Sequence, residues 1–414
     1  MEYGLIGEKL AHSFSKEIHG YIGDYSYELC EIPKEKLPEF LTKKQFKAVN
    51  VTIPYKQAVI PFLSEISPEA QKIGAVNLIV NANGRLCGYN TDYFGAKRLI
   101  ERARVQVNGK KALILGSGGT RHTLFAVLSD MGAREILTVS REKSPDTITY
   151  EEAKTLHSGA EIIANATPVG MYPNIGAMPI DPCIFPRLSG AIDVIYNPLR
   201  TNYIEKAQEL GVPCANGLFM LAAQAAQASA IMRGIALNDT KLEEISETAY
   251  KKALRAKQNI VLIGMPTSGK STIGALLAKK TGRPLYDTDE LTAARKQKSI
   301  REIFALGGEA AFREAESTTI RELAGNTGCI ISTGGGAILS KENVRLLKKN
   351  GKLFFLDRPL SLLAASDDRP LSSRRAELEA MYEKRLPLYL AAADERIAND
   401  GEAETAAESI LAKL

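Results

Sequence analysis

At 414 residues, 45% of them hydrophobic, the chain exceeds a typical domain of roughly 100–200 residues and holds apolar residues for two or three cores, so at least two folding units are expected. A net charge of +5, from 53 basic and 48 acidic residues scattered without runs, gives no support to a nucleic-acid or membrane-surface function and leaves small acidic ligands open. Five cysteines (Cys30, Cys87, Cys183, Cys214 and Cys329) with no CxxC spacing argue against a disulfide framework or a structural zinc, and for free thiols in a reducing compartment.

In chain order, the opening run Tyr3-Gly4-Leu5-Ile6-Gly7 reads as a strand, without the basic and long apolar regions of a signal peptide. Short β-branched runs then alternate with helical patterns: KKALILG, EILTVSR, EIIANAT and GAIDVIY, followed later by NIVLIG, CIISTG and KLFFLD. That alternation predicts an α/β fold with parallel sheets. The longest apolar stretch, Leu218 to Met232, is interrupted by Gln224 and Gln227 and falls short of the about 20 residues that span a bilayer, so a soluble cytoplasmic protein with no membrane partner is expected. Asn238 to Lys257, rich in Lys, Glu and Ala, predicts an exposed linker helix and marks the domain boundary; Glu402 to Leu414 predicts a closing helix. His19, His122 and His157 lack metal-ligand spacing and read as structural or exposed.

Two glycine loops differ in spacing and chemistry. GMPTSGKS, Gly264 to Ser271, fits G-x-x-x-x-G-K-[ST] and lies between the strand NIVLI and the helical STIGALLAKKTG, where a phosphate loop belongs. Its backbone amides can cradle phosphates, Lys270 can neutralise the β- and γ-phosphates of ATP, and Ser271 can ligate magnesium, with Gly264, Thr267, Ser268, Gly269 and Thr272 completing the ATP site. The other loop, GSGGT (Gly116 to Thr120), opens a helix after KKALIL but has Arg121 at the sixth position of G-x-G-x-x-G, so a dinucleotide site and a plain tight turn both remain open. The strand EILTVSR ends in Ser140-Arg141, where NAD enzymes usually carry an acidic residue; an arginine favours the 2′-phosphate of NADP.

Motifs beyond the phosphate loop are similar to those of the shikimate kinase family over nearly all of residues 258 to 400: LYDTDE, FRE with Glu316, STGGGA, DDRPL and KRLPLY. The resemblance implies that Asp289 holds the attacking hydroxyl and helps remove its proton, with Asp287 near magnesium through water. It implies that Arg313 and Arg385 bind a substrate carboxylate, that Gly334, Gly335 and Gly336 let the ring approach the backbone, and that Arg369 closes over the transferred phosphoryl group.

Residues 1 to 235 resemble shikimate dehydrogenase through HSFS (from His12), NVTIPYK (Asn50 to Lys56), GAVN (Gly74 to Asn77), GYNTD (Gly88 to Asp92), NATPVGM (Asn165 to Met171), DVIYNP (Asp193 to Pro198) and NGLFMLAAQA (Asn216 to Ala225). Carried over, Ser13, Ser15, Thr52, Lys56, Asn77, Asp92 and Gln224 would hold the substrate, with Lys56 and Asp92 the catalytic pair. Gly116, Ser117, Gly118, Gly119, Thr120, Ser140, Arg141, Met171 and Gly217 would bind NADP(H), with Gly170 beside Met171. The chain has Lys16, Gly20 and Leu78 where the family usually has proline, asparagine and threonine.

The architecture implied is a substrate-binding lobe (1–95, with a returning helix at 216–237), a Rossmann-like NADP domain (96–215), the linker helix (238–257) and a P-loop kinase domain (258–414). The first half would reduce 3-dehydroshikimate with NADPH, and the second would phosphorylate shikimate with ATP and Mg2+. A quinate- and NAD-preferring first half, disfavoured by Arg141, and a non-catalytic ligand sensor, disfavoured by the complete set of reactive residues, are the rivals.

Overall fold

Runs of Val, Ile and Leu become wholly buried strands wherever helices cover both sheet faces, and this chain builds three such sheets. The computed structural model describes residues 1–10, 13–363 and 375–414. They divide into one unit of Met1–Tyr196 with Arg200–Leu254 and a second of Asn197–Leu199 with Arg255–Leu414.

The first lobe of the N-terminal unit contains β1 (Tyr3–Gly7), α1 (Ser15–Ile22), β2 (Tyr27–Glu31), α2 (Leu37–Lys43), β3 (Ala48–Val51), β4 (Glu65–Ile66), α3 (Pro68–Ile73), β5 (Leu78–Ala82) and β6 (Arg85–Tyr89). Its sheet order is β2-β1-β3-β5-β6-β4, parallel except where β5 runs against β3 and β6. Asn83-Gly84 turns β5 into β6 with both residues at positive φ, 52° and 87°, as a two-residue hairpin turn requires.

Helix α4 (Asp92–Arg102) leads into the second lobe: β7 (Lys111–Leu115), α5 (Gly119–Asp130), β8 (Glu135–Ser140), β9 (Ile148–Thr149), α6 (Tyr150–Thr155), β10 (Ile162–Asn165), β11 (Gly190–Asp193), α7 (Asn202–Glu209) and β12 (Cys214–Ala215). All six strands are parallel in the order β12-β11-β10-β7-β8-β9, the doubly wound arrangement whose direction reverses beside β7. The boundary expected after residue 95 falls inside α4, which is continuous: Ala96, Leu99 and Ile100 join the core of the second lobe while Asp92 stands at the helix's first turn.

Helix α8 (Leu218–Met232) returns across both lobes. Phe219, Met220 and Ala223 pack into the second-lobe core, and Ala228 and Met232 pack against Leu5 and Leu78 of the first. Gly95 lets α4 lie close along α8, since a Cβ there would stand 2.6 Å from the Met220 carbonyl oxygen. Helix α9 (Asp239–Lys257) differs from the exposed linker expected of its composition. It buries Leu242, Ser246, Ala249 and Ala253, and Arg102 is held between the rings of Phe219 and Tyr250, 4.8 and 4.4 Å from their centroids, while bonding Glu247.

The second unit comprises β13 (Asn259–Ile263), α10 (Lys270–Thr281), β14 (Leu285–Asp287), α11 (Thr288–Lys296), α12 (Ile300–Leu323), β15 (Ile330–Ser332), α13 (Lys341–Leu347), β16 (Gly351–Asp357), α14 (Arg375–Ala392), β17 (Glu395–Ala398) and α15 (Ala403–Ala412). Its sheet is parallel throughout, ordered β14-β15-β13-β16-β17, with the strand that carries the phosphate loop at its centre. No described helix is long and apolar enough to cross a membrane.

The α4–α8 approach leaves no room for a methyl group. Gly95→Ala is expected to lower the stability of the N-terminal unit by about 1–3 kcal/mol, the usual cost of overpacking. Urea unfolding followed by a probe in each unit should show the first transition move and the second stay.

Candidate functional site

In the first unit the chain leaves β3 at Thr52, whose amide donates to the Ile6 carbonyl at 3.0 Å and whose methyl sits where a side chain on Gly7 would be, 2.7 Å from its Cβ position. One turn on, the Lys56 carbonyl accepts from Val76 N at 2.8 Å, which fixes the loop against the segment leading to Asn77. Lys56 Nζ meets Asp92 Oδ2 at 2.5 Å in a partly buried ion pair. Asp92 is the first residue of α4, where the helix dipole favours a carboxylate.

Behind this pair lies a buried polar network. Asn77 Nδ2 donates to Thr91 Oγ1 at 3.0 Å, Thr91 N donates to Asn77 Oδ1 at 2.7 Å, and Thr91 Oγ1 reaches Gln224 Oε1 at 3.3 Å. Asn50 donates to the Asn77 carbonyl and accepts from Tyr27 Oη at 2.8 Å. Lys56, Asn77, Asp92 and Gln224, predicted from four separate strings, are thus linked directly or through Thr91. Ser13 Oγ donates to Ser15 Oγ at 3.1 Å at the head of α1; His12 lies outside the described residues. His19 is fully buried, stacked on Tyr27 at 3.9 Å, and burial lowers its pKa to about 3, so its imidazole is neutral. Thr91, Asn50 and Tyr27 were not singled out in the sequence, although Thr91 and Asn50 stand inside quoted strings.

The glycine loop sits at the carboxyl end of β7, beside the reversal of strand order. Gly116 has φ 101°, and a Cβ would meet Thr167 Cγ2 at 2.7 Å; Gly118 and Gly119 face open space. Gly118 is the N-cap of α5 and supplies no capping side chain, so the first amides of the helix are left for another acceptor. A cleft of about 500 Å³ runs past Gly116, Ser117, Gly118, Ser140, Arg141 and Thr167, a fit for a dinucleotide pyrophosphate and ribose. Thr120 lies in the first turn of α5. Arg141 is exposed at the cleft, whereas the Ser140 hydroxyl closes the following loop by donating to Glu142 O and Thr147 Oγ1. Met171 is exposed in a loop around a second cavity of about 610 Å³, with Gly170 at φ 95°. Gly217 donates to the Ile195 carbonyl, and a Cβ would stand 2.0 Å from Val194 O, so the strand contact itself requires glycine.

Under these loops Asp193 is fully buried, accepting from Asn165 Nδ2, Ile195 N and Thr201 Oγ1. Burial raises its pKa from 3.8 to about 6, against the lowering by those three donors.

In the second unit the phosphate loop wraps inward. Lys270 is 6% exposed and its Nζ donates to Gly264 O, Met265 O and Ser268 Oγ. Asn399 pins the loop through Ser268 O at 2.6 Å, and Gly269 takes φ 84° to start α10, whose first turn carries Ser271 and Thr272. Ser271 Oγ and Ser332 Oγ both donate to Asp287 Oδ2 at 2.9 Å, while Asp287 Oδ1 caps α11. One hydroxyl and one carboxylate suit Mg2+, which keeps waters and draws its other ligands from phosphates. No group of three His, Cys, Asp or Glu that could hold a metal occurs among the described residues. Ser332 was not anticipated.

The acceptor residues converge on the glycine turn after β15. A Cβ on Gly334 would lie 2.4 Å from Glu316 Oε1 and 2.5 Å from Asp289 Oδ1; on Gly335, 2.9 Å from Pro266 Cδ; on Gly336, 2.1 Å from Arg313 Nη2. The expected reason for these glycines was access for a ring. The observed crowding is by the protein's own charged groups and phosphate loop. Arg313 bonds Glu316 at 2.7 Å and also Glu309. Burial raises the pKa of Glu316, against the lowering by Arg313. Arg385 is 6% exposed, donates to Gly335 O at 3.1 Å, and has its pKa lowered by burial. Arg369 lies outside the described residues.

Comparison with known proteins follows the same division. The family description "Shikimate dehydrogenase substrate binding domain" matches residues 5–79, and "Shikimate kinase" matches residues 266–414. The NADP(+) shikimate dehydrogenase of Clostridium perfringens (strain ATCC 13124) is 37% identical over 263 residues, covering 59% of this chain and 97% of that protein. Among solved structures, a chorismate mutase/shikimate 5-dehydrogenase fusion protein from Clostridium acetobutylicum matches with TM-score 0.56 and 38% identity, covering 60% of this chain and 97% of that one. The shikimate 5-dehydrogenase of Thermus thermophilus, in complex with NADP(H) and shikimate, matches with TM-score 0.53 and 31% identity over 60% and 99%.

The raised pKa of Asp193 has a definite sign. Between pH 3.8 and about 6 the folded carboxyl holds a proton that the unfolded one releases, so stability falls as pH rises through that window and is level above it. Asp193→Asn cannot titrate. Relative to it, the wild-type N-terminal unit should lose about 2–3 kcal/mol between the two ends of the window, measured by urea unfolding at each pH.

Proposed function

The chain belongs to the shikimate dehydrogenase family and continues into a shikimate kinase domain, and from that premise we propose how its residues divide two consecutive reactions. It is a bifunctional shikimate-pathway enzyme: the N-terminal part reduces 3-dehydroshikimate to shikimate with NADPH, and the C-terminal part converts shikimate to shikimate 3-phosphate with ATP.

For the reduction, the observation that carries the assignment is the Lys56–Asp92 pair, set beside the Asn77–Thr91–Gln224 network. NADPH, when bound, supplies the hydride that the ketone carbon receives. Lys56, oriented by Asp92, stabilises the charge growing on the ketone oxygen and delivers its proton. Ser13, Ser15, Thr52, Asn77 and Gln224 hold the hydroxyls and carboxylate of the ring. The glycine loop at Gly116–Thr120 takes the pyrophosphate, and Arg141 takes the 2′-phosphate, which supports NADPH over NADH. Ser140 contributes by shaping the loop that presents Arg141.

For the phosphorylation, the carrying observation is the meeting of Asp289, Arg313 and Arg385 at a glycine turn that touches Pro266 of the phosphate loop. MgATP, when bound, supplies the phosphoryl group. Lys270 would pair with phosphate oxygens, Ser271 would ligate the metal with Asp287 acting through water, and Asp289 accepts the proton of the attacking hydroxyl. Arg313 and Arg385 take the carboxylate. Arg369 completes the proposal as the residue that offsets charge on the phosphoryl group.

The test separates the halves. Lys56→Ala should lower the rate of 3-dehydroshikimate reduction by about 10²–10⁴ and leave shikimate phosphorylation unchanged. Lys270→Ala should lower phosphorylation by about 10²–10³ and leave reduction unchanged. Loss of both activities in either variant would contradict the division.

A further inference from the structure

Arg385 is a buried cation that donates to a neutral carbonyl, Gly335 O, and no ion pair to it occurs among the described residues. A guanidinium placed this way depends on whatever fixes the carbonyl it leans on. Gly335 O receives a second donor: the hydroxyl of Tyr389, one turn further along α14. Tyr389 is fully buried, and its ring stacks on Phe355 of β16 with centroids 5.0 Å apart and planes at 3°. Its hydroxyl also adjoins the Arg385 guanidinium, and burial raises its pKa, so it remains a donor at any working pH. Among the described residues, the side chains of Arg385 and Tyr389 carry hydrogen bonds from this helix to the glycine turn.

We propose that Tyr389 is a positioning residue for the acceptor carboxylate site: by donating to Gly335 O it sets the distance between α14 and the glycine turn, and so aims Arg385 at the carboxylate of the ring. The stacking on Phe355 supplies rigidity, and the hydroxyl supplies direction. This rests on the reading of Arg385 as a carboxylate ligand. A plain packing role for Tyr389 would need only the ring, since a phenylalanine would fill the same slot against Phe355.

The experiment uses the full chain and compares shikimate with its methyl ester, which keeps the ring hydroxyls and lacks the charge. Wild type should bind shikimate the more tightly by a large factor; if it does not, the carboxylate reading itself fails, and with it the premise. Given that preference, Tyr389→Phe should raise KM for shikimate about fivefold to tenfold, the loss of one hydrogen bond to an aligned group, with KM for the ester, KM for ATP and kcat little changed. Phe355→Leu, which disturbs the stacking and spares the hydroxyl, should lower the melting temperature and keep the preference for shikimate over the ester. In Arg385→Lys the Tyr389→Phe change should add nothing further to KM. An unchanged preference in Tyr389→Phe, an equal rise in both acceptors' KM, or an additive double variant would each overturn the proposal.

Discussion

A parallel strand covered on both faces has no use for polar side chains along its body, so its polar groups are confined to its carboxyl end and the loop beyond. Both units largely follow this, with buried Thr138 inside β8 and Asn259 at the amino end of β13 as exceptions. Strands β7, β10 and β11 are buried runs that end toward Gly116, Asn165 and Asp193; β14 and β15 end at Asp287 and Ser332; β13 runs out into the phosphate loop. The sites are therefore consequences of the sheets rather than additions to them. Covering helices supply what strand ends cannot: Asp92 from α4, Gln224 from α8, and Arg313 and Arg385 from α12 and α14.

The two sites handle buried charge differently. Lys56 and Asp92 neutralise one another in a partly buried pair. In the second unit Arg313 is balanced by Glu316 and Glu309, while Arg385 rests on a backbone carbonyl. A buried guanidinium without a direct ion pair is costly to maintain and is relieved by an anion. The first unit also keeps one carboxyl, Asp193, wholly enclosed by neutral donors, where it serves to tie β10, β11 and the start of α7 together.

Much of this was legible in the sequence because the relevant groups are close along the chain. A phosphate loop is eight consecutive residues, and its lysine, serine and glycines are fixed by one turn. The alternation of strand and helix fixed the class of fold. What could not be read depends on contacts across long separations. Thr91 reaches Gln224 across 133 positions, and Ser332 reaches Asp287 across 45. Nothing local distinguishes Thr91 from a simple helix cap. Helix α9 misled for another reason: its buried face is Leu242, Ser246, Ala249 and Ala253, mostly small side chains that leave a weak apolar stripe, and its anchoring comes from Arg102 on another helix. Nor is the crowding at the glycine turn readable locally, because the neighbours that a Cβ would meet come from three separate segments.

That crowding bears on how the acceptor site can change over evolutionary time. At three successive positions a side chain would have to displace groups the enzyme already owns: Asp289 and Glu316 over Gly334, Pro266 over Gly335, and Arg313 over Gly336. Any innovation in acceptor choice has to begin at side chains that approach the turn, since the turn itself cannot drift without first displacing its phosphate loop or its ion pairs. Such a site is resistant to gradual retuning, and divergence should accumulate around its rim.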